Sequence, residues 1–250
     1  MNAKLLTPPD EWASPMVERE NNEQELLGAA RMLTVKYMES YDPSHDQHHI
    51  DRVVRMAERL AGQFNVIDNT VTVLGAMFHD IVDHKYVSGP LVAERIDTVT
   101  KLMADYGMSN DRIATVLKII RNTGYSIERK LKNSGNWTEW HETCREYHCV
   151  QDADRLDAIG AIGIFRVGGY ACIKGEPLIS PNATVISAYS HFFDKLLALR
   201  KTLKTPLGQK VGERRQLIME QFVAAAQSEY ELWDFQDIPP QECGVMGELD

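Results

Sequence analysis

Three apolar, helix-patterned stretches of this chain carry side chains that bind divalent cations. His49 lies in HHIDRVVRMAERLA, His79 and Asp80 in VLGAMFHDIVDHK, and Asp154 in VQDADRLDAIGAIG. Imidazole nitrogen and carboxylate oxygen suit Zn, Mn, Fe, Co or Ni, and a site that keeps a water generates a hydroxide nucleophile near neutral pH. The set points to metal-assisted hydrolysis. Adjacent helical residues point about 100° apart, so His79 and Asp80 converge on one ion only if it lies between their directions. Other helices must then supply the opposite side, and His49 and Asp154 are suited to it.

The elements that must position these residues read as helices. Leu26, Leu27, Ala30, Leu33 and Tyr37 recur at steps of three and four residues, and Asp42-Pro43 ends that helix. A second helix carries His49, Val53, Met56, Ala57 and Leu60 on one stripe. Asp68 is an N-cap for a third, running through Val71, Leu74, Met77, Phe78 and Ile81. Further helices are expected over 91–106, 111–121 after a Ser109-Asn110 cap, 146–164, 182–202 and 208–229. The polar, Gly-containing segment 122–140 reads as a loop that could cover the site. Strand-like alternation is absent, which predicts an all-α fold. Residues 1–20, with Pro8, Pro9 and Pro15, read as an arm, 21–232 as a single helical domain and 233–250 as an acidic tail.

The ordered pattern H…HD…D resembles the HD-domain superfamily of metal-dependent phosphohydrolases. His49 precedes Arg52-Val53 as the first His of that family usually does, and Asp154 sits in the ADRL context of its last Asp. The strings SHDQHHIDRV, FHDIVDHK and SHFFDKLLALR are similar to a single-domain, uncharacterised or nucleotide-directed branch, and the likeness runs from about Asp42 to Glu229. The resemblance implies an HD-domain helical bundle in which His49, His79, Asp80 and Asp154 hold one divalent ion, Mn, Mg, Co, Ni, Fe or Zn. It also implies a small phosphate ester or anhydride as substrate, most plausibly a nucleotide.

His79-Asp80 alone would more often cap a helix or make an interior hydrogen bond, but three matching contexts in one chain reverse those odds. Asp152, Asp154 and Asp157 offer competing carboxylates; the ADRL match selects Asp154, leaving Asp157 to pair with Arg155 or a neighbouring helix. Asp83, four residues after His79 and three after Asp80, would share a helix side with both and could accept a proton from water, with Asp80 the second catalytic carboxylate. The family commonly has Glu at this place. Phosphate needs cationic donors, and Arg52, His84, Lys85, Arg155 and Lys195 lie in the motif segments. His45 is a further substrate-side candidate; His48 reads as an ordinary packed or surface histidine. His191 enters through the resemblance only.

Composition bounds the partners. With 250 residues, 44% hydrophobic and 25% charged, the chain can bury a substantial core. A formal net charge of -9 argues against a broad grip on a long nucleic acid, while a bound metal could still invert the local field for a small anion. Cys144, Cys149, Cys172 and Cys243 show no C-x-x-C spacing, and no long apolar leader or membrane span is evident, so a cytoplasmic protein is expected. The two late amphipathic helices could supply a homodimer surface. Phosphate loop, nucleophile elbow and deaminase signatures are absent. The alternative to an enzyme is a non-catalytic HD-fold module that holds a metal or nucleotide for regulation. A weaker option is a structural all-α protein whose His and Asp side chains never meet.

Overall fold

Residues 15–182 and 184–235 are described by the structure, a computed structural model; the arm before Pro15 and the tail after Phe235 lie outside them. Among the described residues there are helices and turns and no strand. The chain divides into two compact units, Met1–Asp154 and Arg155–Asp250.

In the first unit, α1 (Pro15–Met38), α2 (Gln47–Ala61), α3 (Asn69–Phe78), α4 (Pro90–Asp105) and α5 (Asn110–Asn122) follow the apolar periodicity closely. α3 is the hub: every residue from Thr70 to Phe78 is buried, and the helix packs against α1, α2 and α5. Leu74 and Phe78 meet a core that includes Val53, Ala57, Val116, Ile119 and Val150. Burying each large apolar side chain of this kind stabilises by about 1.5–3 kcal/mol. Gly75 lets its neighbours approach α3 closely, since a Cβ there would come within 3.0 Å of Ile119 and 3.3 Å of Val150.

Segment 122–140, expected as a loop, is largely helical: α6 (Tyr125–Asn133) and the start of α7 (Glu139–Thr143) occupy it. α6 has too few apolar residues to show a stripe. It is held instead by buried Glu128, paired with Lys132 at 2.6 Å, and by Lys132 over the Trp137 ring at 4.6 Å.

The helix expected over 146–164 is two, α8 (Arg145–Asp157) and α9 (Gly160–Lys174). The break falls at Gly160, whose φ of 74° favours glycine, and where a Cβ would lie 2.9 Å from the Arg215 side chain. In the second unit α9 packs on α12 (Pro206–Tyr230). The regular helix expected over 182–202 begins only at Ala188: α10 (Ala188–His191) runs into a π-helical turn over Phe192–Leu196, then α11 (Leu197–Leu199) and a 3-10 turn. No single helix among the described residues is long and apolar enough to cross a membrane.

Candidate metal centre

His49 sits in the first turn of α2 because Asp46 caps that helix, accepting from the His49 amide at 2.9 Å. His79 terminates α3. Its Nδ1 donates to the Ala76 carbonyl at 2.8 Å, which leaves Nε2 as the lone-pair nitrogen. Asp80 lies in the turn beyond α3, and Asp154 projects from α8.

These four side chains converge. The Nε2 atoms of His49 and His79 are 3.2 Å apart. Asp80 Oδ2 lies 3.4 Å from His49 Nε2 and 3.3 Å from His79 Nε2, and Asp154 Oδ1 is 3.7 Å from each. Atoms bound at roughly 2.0–2.2 Å from one ion sit about 3 Å apart when their directions are perpendicular. The spacing therefore fits a common cation. The two imidazole nitrogens face each other at this distance, and Asp80 Oδ2 is buried with no hydrogen-bond partner. His49 is fully buried and His79 is 5% exposed.

The electrostatics agree. Burial disfavours the His79 cation, yet Asp80 and then Asp154 outweigh it and raise the imidazole well above its ordinary value. Burial would also raise the carboxyl of Asp80, but the facing His79 and His49 hold it well below the usual range. Asp154 is likewise held down to about 2, His79 overcoming both burial and repulsion from Asp80. All three shifts express one demand, for positive charge at the centre of the group.

The neighbouring positions depart from the sequence expectation in part. α3 stops at Phe78, so Asp83 does not share a helix side with His79 and Asp80. It sits in the following turn, where its Oδ1 accepts from the Lys85 amide at 2.8 Å and its Oδ2 is 3.5 Å from Lys85 Nζ. His84 is exposed, 3.3 Å from Asp83. Lys85 Nζ also reaches His45 Nε2 at 3.1 Å, and His45 Nδ1 meets Ser44 Oγ at 2.7 Å and Tyr86 OH at 3.0 Å. Tyr86 OH in turn donates to Asp42. Arg52 lines an open groove of about 780 Å³ with Leu27, Arg31, Arg55, Val73 and Met77.

Arg155, expected at a phosphate, is 2% exposed, and its Nη1 donates to the Thr202 carbonyl at 2.7 Å. Asp157 pairs with Arg166 at 3.2 Å. Lys195 and His191 belong to the second unit, on the π-helical turn and at the end of α10. His48 is exposed, as expected for a surface histidine.

Sequence reasoning missed Asp46 as the cap that registers His49, and Tyr41 and Arg95 as supports of the Asp80 turn. Tyr41 OH donates to the Asp80 carbonyl at 3.1 Å. Burial, only partly offset by Arg95, pushes that hydroxyl up to about 12, so it remains a donor at neutral pH. A D-x-x-H spacing before an apolar stripe was the available signal for Asp46; Arg95 leaves none in sequence.

The HD-domain family model matches residues 47–159, which include all four converging side chains. The chain is similar to the uncharacterized protein YpgQ of Bacillus subtilis, 33% identical over 179 residues, covering 72% of this chain and 81% of that protein. A crystal structure of YpgQ in complex with ADP superposes with a TM-score of 0.64 at 28% identity, over 81% of this chain and 97% of that one. A protein of Lactobacillus plantarum gives 0.70 at 25% identity, over 84% and 98%. An HD-superfamily hydrolase of Bacillus thuringiensis gives 0.63 at 27%, over 84% and 98%.

Proposed function

Because the chain belongs to the HD-domain superfamily, we propose that it is a metal-dependent phosphohydrolase acting on a small phosphate ester or anhydride, a nucleotide above all. The observation that carries this reading is the cluster of His49, His79 and Asp80, with Asp154 3.7 Å from both imidazoles and a buried carboxylate oxygen of Asp80 lacking any hydrogen-bond partner. The ADP complex of YpgQ supports the nucleotide. We read residues 21–232 as one functional domain, since the family match runs from the first compact unit into the second.

The two imidazoles and two carboxylates would hold one divalent ion, Mn, Fe, Co, Ni, Zn or Mg. When bound, the ion polarises a phosphoryl oxygen and lowers the pKa of water. Asp83, in the turn next to Asp80 and with both oxygens tethered near Lys85, accepts the proton released as water attacks phosphorus. Lys85, His45 and His84 supply donors to the anionic oxygens, and Arg52 adds positive charge from α2. Arg155 takes no part. The exposed Phe193, Leu217, Ile218 and Phe222 support the expectation of a homodimer, which sedimentation would test.

The test is a panel of nucleotides and simple phosphoesters assayed with each divalent metal in turn. The expected result is hydrolysis of at least one nucleotide, lost with chelator and in Asp80→Ala. A metal-loaded wild type that cleaves nothing in the panel would favour a regulatory binding module instead.

A further inference from the structure

α3 ends at Phe78, one residue before the first of its two candidate ligands. The chain then enters a tight turn, closed by Ile81 N to Phe78 O at 3.2 Å and Asp83 N to Asp80 O at 3.1 Å. Carbonyls in a turn beyond a helix end need donors of their own. Here two consecutive ones, of Asp80 and Ile81, are served by a single guanidinium, one through Tyr41 and one directly. Arg95, on α4, donates through Nη1 to the Ile81 carbonyl at 2.8 Å and to Tyr41 OH at 3.0 Å, and that hydroxyl donates to the Asp80 carbonyl at 3.1 Å.

The donors are themselves held. Arg95 Cζ lies 4.5 Å over the Tyr37 ring, and Tyr41, 8% exposed, stacks on Tyr86 with centroids 4.1 Å apart and planes 23° apart. On the other side of Asp80, His79 is fixed by its bond to the Ala76 carbonyl. The peptide groups after Asp80 and the His79 ring before it are thus pinned, while the carboxylate oxygen Oδ2 itself has no hydrogen-bond partner.

We infer that Arg95 is a positioning residue, which, directly and through Tyr41, locks the turn that aims the Asp80 carboxylate and thereby sets the affinity and coordination geometry of the metal centre. The inference rests on the proposed metal reading of that site. Arginine suits the task because one rigid, permanently charged fork can serve two acceptors while its face lies on an aromatic ring. A cation beside the carbonyl end of α3 also offsets the partial negative charge there.

The experiment compares full-length wild type, Arg95→Met, Arg95→Lys, Tyr41→Phe and Asp80→Ala. Three quantities are measured: Mn2+ affinity by calorimetry, the visible absorption of the Co2+-loaded protein, and the melting temperature without metal. Loss of an outer support of this kind costs about 10–100-fold in metal affinity, so Arg95→Met and Tyr41→Phe should weaken Mn2+ binding by that factor and alter the Co2+ bands. Arg95→Lys should recover part of the loss, since an ammonium can still reach one acceptor.

Unchanged Mn2+ affinity and Co2+ bands in Arg95→Met and Tyr41→Phe, with only the melting temperature lowered, would make Arg95 a mere brace and overturn the inference. If Arg95→Met does not fold, Tyr41→Phe, which deletes one oxygen, decides the matter. A wild type that binds no Mn2+ would sink the metal reading and this inference together. Binding lost in Asp80→Ala but intact in the Arg95 and Tyr41 variants would sink the inference alone.

Discussion

The two ends of α3 gather charged side chains in opposite ways. At the start, Asp68 caps the Val71 amide at 3.0 Å and takes Arg112 in a bidentate grip, Nε to Oδ2 at 2.7 Å and Nη2 to Oδ1 at 2.9 Å. Arg112 Nη1 continues to Glu23 at 2.8 Å, and Glu146 accepts from the Asp68 amide at 2.9 Å. Each of these carboxylates meets a permanent cation or an N–H, and acidic groups are favoured at that end by the helix dipole. At the far end two imidazole nitrogens face each other and Asp80 Oδ2 has no hydrogen-bond partner. An anion is also at the wrong end of the helix there. The first cluster is closed by its own cations and amides; the second brings together groups that could hold a cation.

That contrast can be attacked at either end, and the largest effect is expected at the second. Asp80→Ala should eliminate Mn2+ binding and reduce hydrolysis to background, and the metal-free variant should unfold at a lower denaturant midpoint than wild type at neutral pH, because the attraction of the carboxylate for His79 and His49 is lost with it. Mn2+ at a hundred times its Kd should stabilise wild type by about 2.7 kcal/mol and leave Asp80→Ala unmoved. Arg112→Met should do the reverse, costing about 2–4 kcal/mol on denaturation with Mn2+ affinity unchanged, partial solvent exposure of its partners keeping it below the cost of a fully buried pair. An Arg112 variant that lost the metal would erase the distinction between the two ends.

Lys85→Ala should raise KM for a nucleotide about tenfold with metal affinity retained, as expected for one charged contact to phosphate; a fall in kcat alone would move Lys85 to the chemical step. The smallest effect is at Cys144. Burial and then the nearby Glu146 charge push its thiol up to about 11, so thiol-reactive dye at pH 8 should label it slowly in a Cys172→Ser, Cys243→Ser background. Cys149, pushed to about 12 by burial, should be slower still. Arg112→Met should speed Cys144, whose neighbour Glu146 belongs to the Asp68 network, and Asp80→Ala should not.

The long apolar stripes made α2, α3, α4, α5 and α12 legible, because burial on one face imposes a period that survives in the letters. α6 was hidden because its stability comes from Glu128, Lys132 and a ring contact rather than a stripe. The break at 158–160 falls at Gly160, inside the single helix expected over 146–164. At the candidate centre, the residue types and the all-α frame were readable, whereas the end of α3 at Phe78 was not. Tyr41 and Arg95 bond the carbonyls just beyond that end, and Asp83 lies off the helix side on which its spacing had put it. Arg155 misled because a cation in a motif segment looks the same whether it meets phosphate or a backbone carbonyl.

Anomalous diffraction from crystals of the full chain grown with saturating Mn2+ would probe the centre most directly. One manganese peak is expected, about 2.0–2.3 Å from Nε2 of His49 and His79 and from carboxylate oxygens of Asp80 and Asp154. A map with no peak among those four side chains, or with the ion held elsewhere, would contradict the account.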